Sequence, residues 1–345
     1  MIESICHEIT LKQPENTDHS LIHTIYFGGG TPSILDVAEL EKILSTIRAN
    51  FEIAVNAEIT LEANPEDINQ KKLQSWHSLG INPLSIGIQT FNAETLAYVN
   101  RAHTVSQAKE ALALSKSEGF KNITADLIFG IPPFTLENWE DDLSQMLDFD
   151  LPHLSVYGLT IEPKTVFGKW HQKGKLIEST DESMEHAFRM AHQKLTGSGY
   201  LHYEVSNYAK PGMESKHNTA YWQGKPYIGL GPGAHSFDGK NRSYNISNNA
   251  IYLREIAKGI VPQTLENLTI TDQMNEYLFT RLRTSSGVDL KAFKQLYARD
   301  LLSDYQLLIR DLLRKELIEL LENNLILTLD GMLLADEISL KLFYE

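Results

Sequence analysis

Glu62, Gln89, Arg101 and Asp126 are the side-chain types that hold a small polar molecule. Carboxylate and amide oxygens accept hydrogen bonds from amines and from ribose hydroxyls. A guanidinium grips a carboxylate through two parallel N–H groups. Ahead of them lies YFGGGTPS, residues 26–33, whose successive glycines open the backbone to a ligand. No Gly-Lys-Ser/Thr follows and the pattern is not G-x-G-x-x-G, so phosphate binding has no support. An amino acid joined to a nucleoside would use amine, carboxylate and ribose contacts together. S-adenosylmethionine (SAM) is such a molecule.

A second group lies at His217-Asn218-Thr219-Ala220-Tyr221-Trp222. By residue type alone this reads as a hydrogen-bonded corner in which His217 and Asn218 hold the aromatic pair Tyr221 and Trp222 in the core. Glycines in GLGPGAHSF read as a tight turn that places backbone near a site.

These residues need elements to position them. Strand-like and helix-like segments alternate: HTIYFGG, NAEITLEANP, PLSIGIQTF, NITADLIFGIPP and HLSVYGLTIEP as strands, with helices between them. Asp36, Asn92 and Thr135 stand where N-caps belong. This spacing predicts a parallel sheet of βαβ units, an α/β fold. The polar and glycine-rich tips close the strands, and parallel α/β folds carry their sites at that end. Residues 181–199 predict a helix with a glycine stop, and YLHYEVSNYAK a strand. From about 248 the pattern turns helical, including the Leu-rich run 301–321 as core-packed helix. LILTLDGMLLA predicts a hairpin turning at Asp330-Gly331. The expected division is 1–240, a barrel carrying the His217 segment, and 241–345, a helical, winged-helix-like module.

The 345 residues carry a formal net charge of -14, against non-specific nucleic-acid binding. No apolar run reaches a membrane span and no signal peptide is evident, so a cytoplasmic protein is expected. The single cysteine, Cys6, cannot supply the thiolates of an iron–sulfur cluster.

YFGGGTPS, LEANPED, SIGIQTF, VNRAH and DLIFGIPP, in this order, resemble the oxygen-independent coproporphyrinogen III oxidase-like group of radical SAM proteins. Within that group KHNTAYW, residues 216–222, and YIGLGPGAHSF are similar to the heme chaperones of the HemW type. The resemblance implies a partial (β/α)6 barrel. It implies SAM contacts from Gly29, Gly30 and Thr31 to the methionine amino group, with Glu62 at the next strand tip. It places Gln89 and Asp126 by the ribose and Arg101 near the methionine carboxylate. It also implies heme as cargo, with His217 a candidate iron ligand, since heme iron accepts a neutral imidazole, Tyr221 and Trp222 packing groups on the porphyrin, and His235 in GPGAHSF and His7 beside Cys6 weaker candidates. It implies heme-acceptor proteins of respiratory type as partners, membrane-associated ones included, and a [4Fe–4S] cluster on Cys-x-x-x-Cys-x-x-Cys. That motif is absent. MIESICHEI resembles the family's first helix entered midway, so the first strand and cluster loop are expected upstream, leaving five barrel strands where the family has six. A shortened reading of a longer gene and a shortened protein without cluster chemistry both fit. The alternative functions are decarboxylation of coproporphyrinogen and a SAM-binding scaffold with no heme role; enzymatic activity stays open.

Overall fold

The computed structural model describes residues 1–13 and 21–345. Helix α1 (Ile2–Leu11) comes first, then β1 (Ile22–Phe27), α2 (Val37–Asn50), β2 (Ile53–Ala63), α3 (Gln70–Ser78) and β3 (Leu84–Gln89). Next come α4 (Ala93–Tyr98), α5 (Val105–Ser117), β4 (Ile123–Phe129), α6 (Leu136–Asp148) and β5 (His153–Gly158). All five expected barrel strands form, and β2, β3, β4 and β5 pair in parallel. The caps behave as their types dictate. Asn92 accepts from Thr95 N and Thr135 from Asn138 N, while Glu39 accepts from Asp36 N at 3.0 Å.

After β5 come α7 (Val166–Gln172) and α8 (Asp181–Gly197), then β6 (Leu201–Glu204) and β7 (Asn207–Ala209). The expected single strand at 200–210 is this hairpin. It adds antiparallel to β5 and completes a seven-stranded sheet in the order β1-β2-β3-β4-β5-β7-β6. The strand pattern predicts the parallel part of this mixed sheet, and the sheet is the partial barrel that the resemblance implies, with β1 at one edge.

Burial along β4 alternates. Ala125, Leu127 and Phe129 are buried, whereas Thr124, Asp126 and Ile128 lie on the other face. The period-2 geometry of a strand therefore sends Asp126 away from the apolar layer. That layer includes the fully buried Trp76 of α3 and Trp139 of α6, the latter donating its indole N–H to the Ala187 carbonyl of α8 at 2.9 Å. Each large side chain so buried stabilises the fold by roughly 2 kcal/mol or more.

The remaining elements are α9 (Lys216–Trp222), β8 (His235–Phe237), β9 (Asn241–Asn245), α10 (Asn249–Ile256), β10 (Gln263–Asn267) and α11 (Ile270–Leu282). They are followed by β11 (Val288–Asp289), α12 (Leu290–Tyr297), α13 (Leu301–Asp304), α14 (Gln306–Arg314), β12 (Ile318–Leu321), β13 (Asn324–Leu327), α15 (Leu329–Leu333) and α16 (Ala335–Lys341). Three expectations fail here. First, the region after 248 is not all helical: β10 pairs with β9, and β9 with β8. All of β10 is exposed, so it has no apolar alternation to reveal it. Second, the Leu-rich run is not one helix. Glu316 takes φ +56 and ends it, and residues 318–321 become a strand. Third, the hairpin joins β12 to β13 with Glu322 at φ +54, not at Asp330-Gly331. Thr328 instead caps α15 by accepting from Gly331 N at 3.1 Å. Gly331 is required because a Cβ there would lie 1.9 Å from the Leu317 carbonyl oxygen.

The chain forms two compact units, residues 26–34 with 58–215, and residues 1–25 with 35–57 and 216–345. No helix among the described residues is long and apolar enough to cross a membrane.

Candidate functional site

In the first of these units, Gly28 to Thr31 follow β1 as an exposed turn. Gly29 and Gly30 have φ +77 and +80, the left-handed region that glycine enters without penalty. Ser33 anchors the turn. Its hydroxyl donates to Asp67 at 2.6 Å and accepts from Asn64 N at 3.2 Å, while Lys72 donates to its carbonyl at 2.7 Å.

Glu62, near the end of β2, accepts from the Tyr26 hydroxyl at 2.8 Å and from Gly29 N at 3.2 Å. A Cβ on Gly28 would stand 2.5 Å from the Tyr26 ring and 2.8 Å from Glu62 Oε1. The glycine is therefore the space in which this pair lies. Gln89, at the end of β3, folds its amide back over Gly87, where a Cβ would meet Nε2 at 2.6 Å. Asn64 Oδ1 and an Arg101 guanidinium nitrogen lie 3.8 and 3.9 Å from that same point. Arg101 also approaches Asn64 Oδ1 at 3.5 Å.

Asp126 completes the group. Desolvation pushes its carboxyl up to about 7, hydrogen bonds from Ser155 and Ser85 oppose the rise, and the Glu62 carboxylate adds to it. Burial pulls the Arg101 guanidinium down, and the charges of Glu66 and Asp126 pull it back up. Gly29, Glu62, Arg101 and Asp126 are thus joined by hydrogen bond or charge, and Gln89 and Arg101 flank the same point above Gly87. Thr31 sits in the same turn, its carbonyl accepting from Ile34 N at 3.2 Å.

Tyr26, Ser85 and Ser155 escaped the sequence reading, and Asn64 enters it only as part of a polar strand tip. They share one signal, alternation on strands already identified. Tyr26 precedes Gly28 by two, Asn64 follows Glu62 by two, and Ser85, Gly87 and Gln89 run at the same spacing.

The open turn and the glycine-lined cradle fit a ligand that brings an amine, a carboxylate and a ribose, so these residues suit SAM. A [4Fe–4S] cluster does not fit. Cys6 is the only cysteine in the sequence and is buried in α1, and no group of three or more possible metal ligands occurs among the described residues. No step through a cluster is derived.

In the other unit, His217 lies on α9. Its Nδ1 is 3.0 Å from the Thr24 hydroxyl on β1, and its ring meets Tyr221 edge-on at 4.9 Å between centroids. Burial pushes the imidazole down to about 4, so it is neutral at physiological pH. Tyr221 is 41% exposed and packs on Tyr227 at 4.4 Å. The Trp222 indole N–H is buried without a hydrogen-bond partner. A neutral, oriented imidazole beside an exposed ring and an unspent N–H suits an aromatic ligand with polar edges, as heme is. His235 stands exposed on β8, tilted against Tyr244 at 5.5 Å.

Comparison with known proteins gives the family and the fold. Residues 8–146 match the radical SAM superfamily and residues 268–334 the HemN C-terminal domain. The heme chaperone HemW of Bacillus subtilis is 36% identical over 92% of this chain and 84% of its own length. HemW of Synechocystis is 37% identical over 83% and 70%. A solved structure of coproporphyrinogen III oxidase (HemN) from Escherichia coli superposes with a TM-score of 0.84 at 23% identity, over 99% of this chain and 82% of that one, a likeness of fold. With this coverage, a radical SAM half-barrel and a HemN-type C-terminal domain in one chain, the protein belongs to the HemW heme chaperone family of the radical SAM superfamily.

Proposed function

We propose that this chain is a cytoplasmic heme chaperone: it binds heme, holds it through His217, and passes it to acceptor proteins. The observation that carries this reading is the neutral His217 imidazole, set by Thr24 and edged by Tyr221, in a chain of the HemW family. A neutral imidazole presents a lone pair to iron with no proton to displace. The Thr24 hydroxyl at Nδ1 fixes the ring plane, Tyr221 and Trp222 offer apolar surface to the porphyrin, and the Trp222 N–H offers a donor to a polar edge. Residues 241–345 are proposed as a module that docks acceptors, with the division falling at 240.

The second half of the proposal is SAM binding at the strand tips. SAM supplies a sulfonium that joins an amino acid to a nucleoside. Arg101 clamps the carboxylate, the Gly29–Thr31 turn and Glu62 receive the amine, and Asp126 with Gln89 holds the ribose.

Heme titration of the full chain, read by absorption, tests the first half. Saturation near one heme per chain is expected, and His217→Ala weakens binding and shifts the Soret band. An unchanged spectrum and affinity in His217→Ala removes His217 as the ligand. Absence of saturable binding to the unaltered chain sinks the chaperone reading.

A further inference from the structure

Gln89 ends β3 with φ +68, a region that residues with side chains avoid. The pairing of β3 with β4 shifts register at the same place, between Ile86 and Gln89. An unfavourable conformation of this kind persists only where its surroundings hold it.

The holding group is on α6. Asp142 Oδ2 accepts from the Thr90 hydroxyl at 2.6 Å, and Oδ1 accepts from Phe91 N at 2.6 Å. The Thr90 oxygen in turn accepts from Asn92 N at 3.0 Å, and the Asn92 side chain starts α4 by accepting from Thr95 N at 2.9 Å. Asp142 is 5% exposed and Thr90 2%. Both carboxylate oxygens are thus spent on the two residues that follow Gln89.

The other buried residues of α6 are Trp139, Leu143 and Met146. An apolar side chain at 142 would pack in that row without the desolvation cost of a buried carboxylate. Packing therefore does not account for Asp142. The backbone it holds does: the turn at 89–91 keeps the Gln89 amide over Gly87, beside Asn64 and Arg101.

We propose that Asp142 is a positioning residue for the SAM site, acting through Thr90 and Phe91 to hold Gln89 in its binding conformation. The proposal rests on the SAM reading of the strand tips.

The test uses the full chain and three variants, Asp142→Asn, Thr90→Val and Thr90→Ser. SAM affinity is measured by calorimetry, and amide hydrogen exchange across residues 89–92 is measured without SAM. Asp142→Asn keeps the shape but sets an amide N–H against one donor. It is expected to weaken SAM about tenfold, the scale of a lost charge-assisted hydrogen bond, and to speed exchange at Phe91 and Asn92. Thr90→Val does the same through the other arm, and Thr90→Ser, which keeps the hydroxyl, restores affinity to within about twofold of the unaltered chain. A purely structural role would move stability without this Ser/Val split. SAM binding unchanged in Asp142→Asn or Thr90→Val overturns the proposal. If Asp142→Asn does not fold, the Thr90 pair decides. If the unaltered chain binds no SAM, the SAM reading falls. Exchange then judges the turn alone: unchanged rates overturn the role of Asp142, and faster rates support it as the anchor of Gln89.

Discussion

Tyr252 of α10 donates its hydroxyl to Glu8 of α1 at 2.6 Å, although 244 positions separate them in the chain. Glu8 is fully buried and also accepts from Gly231 N at 2.7 Å and Asn245 Nδ2 at 2.6 Å, with Lys12 at 2.8 Å as its counter-ion. One carboxylate therefore ties α1 to the glycine turn ahead of β8, to β9 and to α10.

Glu8→Ala takes the acceptor from Gly231 N and the Tyr252 hydroxyl and the counter-ion from Lys12, while Lys12 keeps the Gly229 carbonyl and Asn245 the Gly231 carbonyl. Removing one partner of a buried ion pair costs roughly 3–5 kcal/mol, so urea denaturation should show a loss on that scale. A loss under about 1 kcal/mol, the value of an ordinary hydrogen bond, would show that the network is not holding these elements.

Gly28→Ala drives a methyl group into the Tyr26 ring and the Glu62 carboxylate. The tyrosine–glutamate pair has to separate, so SAM affinity falls. Gly30→Ala meets no neighbour within 4 Å but is strained by φ +80, costing about 1 kcal/mol. SAM affinity and melting temperature read the two together: Gly28→Ala loses affinity through the displaced pair, and Gly30→Ala, in the turn proposed to receive the amine, loses stability and affinity at once.

The Asp126 carboxyl, pushed up to about 7 by burial, is part protonated at neutral pH. Ribose hydroxyls are donors and favour the carboxylate. SAM binding near pH 7 should therefore release part of a proton, and binding above pH 9 none. Calorimetry in buffers of different ionisation enthalpy reads this directly. Asp126→Asn should abolish the release, and a release that survives in that variant assigns the proton elsewhere.

Burial pushes His153 and His202 down to about 4. Their folded values lie below the unfolded value, so the unfolded chain takes up protons first as pH falls from 6.5 towards 4. Stability from these groups is complete above 6.5 and is lost across that window, for His153 at about 1.4 kcal/mol per pH unit. Asp126 and Asp142, pushed up to about 7 and about 6, run the other way, losing stability as pH rises through those values. The slope of the unaltered chain is the difference between the two sets. Denaturation of His153→Gln against the unaltered chain at pH 5 and pH 7 isolates one histidine; parallel pH dependence in the two would remove His153 from this account.

The barrel strands and their caps were legible because each is a local pattern. A run such as SIGIQ carries its strand period, and Asn92 and Thr135 act within four residues of themselves. The misplaced hairpin shows the limit of local reading. Asp330-Gly331 is an ordinary turn signal, but Thr328 caps a helix there by accepting from Gly331 N, and Gly331 lies where a Cβ would meet the Leu317 carbonyl. Strand β10 left no signal because both its faces are exposed, and the strand it pairs with is β9.

By its own pattern the sequence determined the α/β alternation and the glycine turn at 28–30, and it singled out Glu62, Gln89, Arg101, Asp126 and His217 as candidates by residue type. Only the tertiary structure decided what each one faces. Glu62 meets Tyr26, His217 meets Thr24 across 193 positions, and Asp142, read in the sequence as one more helix residue, turns its carboxylate to the end of β3. The reason is physical. Side-chain type and local period are set within a few residues, whereas burial, pKa and hydrogen-bond partner depend on segments brought together from far along the chain.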